Sequence, residues 1–226
     1  PDQVLVTSGA QQAISLVANL VVEPGDRVVL EDPSYLGAID AFTAFSARLE
    51  GVTSGAQGVQ VEELRETVAS VAPRAVYLVP TGHNPTGSVL PEPARREVAR
   101  IAEASSAVWI EDLTLADLTL EGEAPAPIAS FARDATWLSV GSLSKLFWGG
   151  LRVGWIRGPE AVITRLARLK VVTDLSSSIV SQAIAVRVLA DARTLAATRR
   201  RQARERLDRT SLLLARHLPS WKFQRP

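Results

Sequence analysis

Lys145 is one of three lysines in a chain with twenty-two arginines. A primary amine can form an imine with an aldehyde, and a guanidinium cannot take its place. Lys145 stands in Ser142-Leu143-Ser144-Lys145, just after the apolar run Thr136 to Val140, and Gly149-Gly150-Leu151-Arg152 comes next. Other residues suited to chemistry lie upstream. Ser8-Gly9-Ala10-Gln11 opens a helical stretch, where free backbone N–H groups and the helix dipole favour an anion. An ordinary N-cap reads the same way. Ser142 and Arg152 could add a hydroxyl and a bidentate cation to that anion. Asp112 closes an apolar strand, where a carboxylate needs a cation or a donor. A protonated ring nitrogen would serve, and so would a helix cap or salt bridge. Asn84 lies in the turn-forming string Asn84-Pro85-Thr86-Gly87. Tyr35 could stack on a planar ring or simply pack. His83 reads as a loop residue.

These residues have to be positioned by a scaffold, and the pattern shows which kind. Candidate strands are Val4–Thr7, Arg27–Glu31, Ala75–Val79, Val108–Asp112, Thr136–Val140 and Val153–Ile156. Helical patterns alternate with them at Ala10–Val21, Leu36–Phe45, Val61–Val71 and Pro93–Ala104. Strands spaced by helices predict an α/β domain with a mostly parallel central sheet flanked by helices. Apolar strands such as Ala75-Val76-Tyr77-Leu78-Val79 predict a sheet covered on both faces. Ligands of such sheets bind beyond the carboxyl ends of the strands, which is where all the residues above fall. Past Pro159 the pattern is helical: Glu160–Lys170, Ile179–Ala190 and an arginine-rich Thr194–Leu218. Residues 1–190 are expected to form one large domain. Residues 191–226 are expected to be a long helix leading into a truncated C-terminal domain.

The composition narrows the function classes. With 46% hydrophobic and 22% charged residues, the chain reads as soluble and globular, and a net charge of +1 does not suggest a polyanion-binding surface. Arg199-Arg200-Arg201 could contact nucleic acid, but Asp191, Glu205 and Asp208 interrupt the basic stretch, which favours a solvated helix face. There is no cysteine and there are only two histidines, so no metal centre is expected. No apolar run approaches a membrane span and no signal peptide is visible, so a cytoplasmic location is expected. The chain starts Pro1-Asp2-Gln3 and has no methionine, from which a missing N-terminal segment is expected.

Taken in order, Ser-Gly-Ala, Asp-Pro-Ser-Tyr, Asn-Pro-Thr-Gly, Asp112, Ser-x-Ser-Lys and Arg152 resemble pyridoxal 5'-phosphate (PLP) enzymes of fold type I, the class I/II aminotransferases. The resemblance covers nearly the whole chain. Asp32-Pro33-Ser34-Tyr35, the 33-residue interval from Asp112 to Lys145 and the run Leu146 to Arg152 look most like the aminotransferase-like domain of MocR-type GntR regulators. Those proteins place a DNA-binding winged helix-turn-helix before this fold, and only through such a domain, absent here, would DNA be bound. The resemblance implies that Lys145 carries PLP as an imine and later takes the substrate α-proton. It implies that Asp112 keeps the pyridine nitrogen protonated, that Asn84 bonds the phenolic oxygen and that Tyr35 stacks on the ring. The phosphate would lie among Gly9, Ala10, Gln11, Ser142 and Arg152. An amino acid or amine would be the ligand, and a homodimer the assembly.

There are two departures. The family usually has a tyrosine two or three residues after the aspartate, where this chain has Thr114 and Leu115. The family's arginine for the substrate carboxylate lies in a C-terminal domain beyond Pro226. The expectation is therefore a PLP-binding, effector-sensing domain of a MocR/GntR-type regulator, with a free-standing class I/II amino acid aminotransferase as the alternative.

Overall fold

The computed structural model describes residues 1–222 and Arg225. Phe223, Gln224 and Pro226, the tip of the segment read as leading to a further domain, lie outside the described residues. In chain order the elements are β1 (Val4–Thr7), α1 (Ala10–Val21), β2 (Arg27–Asp32), α2 (Leu36–Ala44), β3 (Arg48–Gly55), β4 (Gly58–Val59), α3 (Val61–Val71), β5 (Ala75–Leu78) and α4 (Glu92–Glu103). They continue with β6 (Val108–Asp112), β7 (Thr136–Ser142), α5 (Leu143–Leu146), β8 (Gly154–Arg157), α6 (Glu160–Asp174), α7 (Ile179–Ala190) and α8 (Ala192–His217). The six strands read from the sequence are present. The pattern missed β3, β4 and the single turn α5, which carries Lys145.

The strands form one sheet in the order β1-β8-β7-β6-β5-β2-β3-β4. β3, β2, β5, β6 and β7 run parallel, while β8 is antiparallel to both β7 and β1. Those two reversals place the site. β1 regains the direction of the parallel strands, so Ser8 and Gly9 emerge at their carboxyl edge. β8 runs the other way, so the residues before it, Arg152 and Val153, start from that same edge.

Alternate side chains of each strand feed two cores, as the period of a pleated strand requires. Val28, Leu30, Tyr77, Ile110 and Leu138 pack against α1, α2 and α6. Val29, Val76, Leu78, Trp109 and Trp137 pack against α3 and α4, with the two indole centroids 5.3 Å apart. β5 is buried along its whole length, as expected for a strand covered on both faces. Each fully buried Leu or Ile contributes about 1.5–3 kcal/mol. A smaller cluster lies under α5, where Leu143 and Leu146 meet Leu151, Val153, Ala185 of α7 and Ala196 of α8. α8 is otherwise largely exposed; its arginines are interleaved with acids, as in the Arg201–Glu205 pair, and Arg225 beyond its end pairs with Asp208. Among the described residues no helix is long and apolar enough to cross a membrane.

Candidate functional site

The turn from β1 into α1 forms one end of the site. Gly9 caps α1 with φ 102°, no side chain caps the helix, and its first turn holds no acidic residue. The first-turn N–H groups are therefore free to meet an anion. A Cβ on Gly9 would lie 2.7 Å from Nη2 of Arg152, so close approach and positive φ both call for glycine here. Arg152 has left-handed backbone (φ 55°) and donates from Nη2 to the carbonyl of Ser8 at 2.7 Å. Gly154 keeps the same corner tight, since a Cβ there would fall 2.7 Å from the carbonyl carbon of Gly9. Behind the turn, Ser8 N–H donates to Gln12 Oε1 at 2.7 Å, and Gln12 Nε2 donates to Asp174 Oδ2 at 2.7 Å. Asp174 is also paired with Lys170, which is 4% exposed. α6 thus braces the turn from inside.

Ser142 closes β7 and caps α5, its Oγ accepting from Ser144 N–H at 3.1 Å. That Oγ also lies 3.0 Å from Ser144 Oγ. Lys145 sits two residues beyond Leu143 on α5, solvent-exposed, and its side chain lines the cleft.

Asp112, 5% exposed, occupies the floor. Its Oδ2 accepts from the Tyr77 hydroxyl at 2.8 Å and its Oδ1 from Thr114 N–H at 2.9 Å. Each oxygen has one donor and keeps capacity for another. These donors answer the requirement read from the sequence, but neither is visible there: in the pattern Tyr77 is only an apolar position of β5. Burial, reinforced by the Asp112 charge, pushes the Tyr77 phenol well above its ordinary range, so it remains a donor. The Thr114 hydroxyl, at one of the positions where the family has a tyrosine, is buried without a hydrogen-bond partner among the described residues.

Tyr35 is half-buried, and its hydroxyl donates to Gln11 Oε1 at 3.0 Å, while Gln11 Nε2 donates to the Gly37 carbonyl at 2.7 Å. Asn84 is exposed on the loop between β5 and α4. Two buried groups outside the set singled out in the sequence support that loop. Arg95 of α4, 0% exposed, donates from Nη2 to the Pro80 carbonyl and Thr81 Oγ1 (both 2.6 Å) and from Nε to the Leu90 carbonyl at 2.7 Å. It ties together the two ends of the loop. His83, read as a loop residue, is only 2% exposed. Its Nδ1 is 2.8 Å from Thr86 Oγ1, and its Nε2 is 3.4 Å from Glu31 Oε2, without hydrogen-bond geometry. Glu31 accepts from Ser54 Oγ at 3.1 Å and Val79 N–H at 2.6 Å. Burial raises the Glu31 carboxyl to about 8 and lowers the His83 imidazole to about 4.

Eight of the nine residues singled out in the sequence line a single cleft: Ala10, Gln11, Tyr35, Asn84, Asp112, Ser142, Lys145 and Arg152. Gly9 is the ninth and touches it through the Arg152 contact. Val79, Thr114, Leu115 and Ser144 complete the lining. An amine, a buried carboxylate and a cationic anion-binding corner thus face one space at the carboxyl edge of the sheet.

The chain matches the family model for aminotransferase class I and II over residues 1–225. It belongs to the class I and II aminotransferase family. The family's cofactor is PLP, and the fold is that of fold type I. This aminotransferase-family chain is 37% identical to 2-aminoadipate transaminase of Thermus thermophilus over 80% of its own length and 47% of that protein. It is 34% identical to the HTH-type transcriptional regulator YisV of Bacillus subtilis over 80% of its length and 38% of the regulator. The solved α-aminoadipate aminotransferase LysN of T. thermophilus, complexed with N-(5'-phosphopyridoxyl)-L-leucine, superposes with a TM-score of 0.95 at 30% identity, covering 100% of this chain and 59% of that one. The chain thus spans less than half the length of these curated relatives.

Proposed function

We propose that this chain is the PLP-binding large domain of an effector-sensing, aminotransferase-like module in an HTH-type regulator of the MocR/GntR class. The observation that carries the cofactor site is the convergence of Lys145, Asp112 and the Gly9–Arg152 corner on one cleft. The residues present fit the cofactor. The uncapped start of α1, with Arg152 beside it and no acid in the first turn, suits a phosphate. Asp112, held by Tyr77 and Thr114 N–H, can accept a proton-bearing ring nitrogen. The buried Thr114 hydroxyl, unpartnered among the described residues, and the exposed Asn84 amide line the same cleft and could donate to a phenolic oxygen.

When bound, PLP supplies an electron-accepting ring for chemistry at the α-carbon of an amino acid. This chain's own part is to bind and orient. Lys145 Nζ would hold PLP and, as a free amine, could take the α-proton of an amino acid. Asp112 would keep a proton at the ring nitrogen, Tyr35, fixed through Gln11, would stack on the ring, and Gly9, Ala10, Gln11, Ser142 and Arg152 would hold the phosphate. The ligand is an amino acid or a related amine.

In this reading residues 1–190 form the cofactor domain, and α8 with residues to 226 leads toward a C-terminal domain. The intact protein is a cytoplasmic homodimer. An apolar, exposed strip supports the dimer: Val172, Leu175, Ile179, Val180 and Val186 are 69–86% exposed along the end of α6 and through α7, more than a lone soluble face usually shows. A free-standing amino acid aminotransferase is the second reading, favoured by the 37% identity to 2-aminoadipate transaminase. The intact protein, loaded with PLP and given single amino acids, separates the two. A sensor binds the amino acid and returns its original spectrum on dialysis. An enzyme releases a 2-oxo acid and accumulates pyridoxamine phosphate, and that result would overturn the sensor reading.

A further inference from the structure

We propose that Arg199 is a positioning residue for Lys145. From α8 it binds the carbonyls that end α5 and so fixes the turn from which the amine is presented. The inference rests on the reading of Lys145 as the cofactor anchor and extends it to an element outside the cleft.

α5 is four residues long. At its end Phe147 N–H donates to the Leu143 carbonyl at 2.8 Å. A single turn cannot satisfy its own last carbonyls, and those must find partners elsewhere. Arg199 supplies them from more than fifty positions away. Its Nε donates to the Leu146 carbonyl at 3.3 Å and its Nη2 to the Phe147 carbonyl at 2.8 Å, while Nη1 is steadied by Gln202 Oε1 at 3.4 Å. The planar fork of a guanidinium suits two successive carbonyls, whereas an ammonium would reach them as a single point charge. A cation at this end also complements the helix dipole.

Packing assists the clamp. Leu143 and Leu146, on either side of Lys145, enter the same cluster as Ala196, three residues before Arg199 on α8. Further along α8, Arg204 donates to the carbonyl of Leu120, in the segment after Asp112, Thr114 and Leu115. α8 thereby holds the chain at the end of the Lys145 turn and again at Leu120, eight residues past Asp112. A displacement of α8 loosens the Lys145 turn before it disturbs the sheet.

The test uses the chain with and without PLP. It compares wild type, Arg199→Ala, Arg199→Lys and, as a control on the same helix, Arg200→Ala. Two readouts are taken: hydrogen exchange of backbone amides from Leu143 to Leu151, and the rate at which PLP becomes borohydride-reducible on Lys145, measured by peptide mass. Losing two charge-assisted hydrogen bonds should speed exchange in this segment about tenfold in Arg199→Ala, with β7 unchanged. Linkage to Lys145 should slow by a similar factor. Free guanidinium ion should restore linkage in Arg199→Ala, Arg199→Lys should recover only part of it, and Arg200→Ala should match wild type. Equal exchange in Arg199→Ala and wild type would overturn the proposal, as would slowed linkage that guanidinium does not rescue. Absence of PLP on Lys145 in wild type would instead overturn the cofactor reading, while the exchange comparison would still decide whether Arg199 holds the turn.

Discussion

The buried pair Glu31 and His83 makes a quantitative prediction about pH. Both side chains are nearly inaccessible (2% and 0% exposed), so solvent screening does not dilute the effect. In the folded chain Glu31 holds its proton up to about 8, against 4.5 when unfolded. Its contribution to stability is therefore complete below pH 4.5 and is lost as pH rises through 8. His83 behaves oppositely: its proton leaves at about 4 folded and 6.5 unfolded, so its contribution is complete above 6.5 and is lost as pH falls through 4. Each slope is about 1.4 kcal/mol per pH unit. Between 4.5 and 6.5 the two cancel. Between 6.5 and 8 only Glu31 acts, and stability should fall by about 2 kcal/mol. Glu31→Gln keeps an acceptor for Ser54 or Val79 but cannot ionise, so the fall above 6.5 should vanish. The rise from 4.5 to 6.5 due to His83 should then appear alone, at about 3 kcal/mol. Urea unfolding midpoints from pH 4.5 to 8.5 for both proteins measure this. A flat wild-type profile between 6.5 and 8, or the same decline in Glu31→Gln, would refute the reasoning.

Two further substitutions probe the floor and the anion corner. Tyr77→Phe removes the hydroxyl that donates to Asp112 and should cost about 1–3 kcal/mol in urea unfolding. PLP should also dissociate faster from the variant; unaltered PLP release would separate Tyr77 from the site. Gly9→Ala places a methyl against Arg152 in left-handed backbone. Strain of about 1–3 kcal/mol should fall mainly on phosphate binding, so the variant should lose its preference for PLP over pyridoxal in competition assays, and an unchanged preference would move the phosphate elsewhere.

Much of this architecture is readable in the sequence because it is written in short-range patterns. The apolar runs of β5, β6 and β7 cannot be satisfied outside a covered sheet, and a parallel sheet delivers the residues after each strand to one edge. That alone gathers Asn84, Asp112, Ser142 and Lys145. β3 escapes because Arg48-Leu49-Glu50-Gly51-Val52-Thr53-Ser54-Gly55, near the sheet edge, is polar and glycine-containing, without a continuous apolar signal. α5 escapes because four residues are too few for a helical period. The supporting side chains depend on register. Nothing in Ala75-Val76-Tyr77-Leu78 says that the Tyr77 hydroxyl lies beside Asp112; the pairing of Tyr77 with Ile110, two residues before the aspartate, brings them together. Arg95, Glu31 and His83 belong to the same class. Each answers a long-range contact, and each is a polar residue that composition alone assigns to the surface.

The central claim is that Lys145 anchors the cofactor. Its most direct measurement compares absorbance spectra of wild type and Lys145→Ala after PLP is added and unbound PLP is removed, with borohydride reduction and peptide mass analysis of both. Wild type should keep the visible band of a PLP–lysine linkage and yield a phosphopyridoxyl mass on the peptide holding Lys145, while Lys145→Ala should show neither. Equal bands in the two proteins, or the added mass on Lys170 or Lys222, would contradict the assignment.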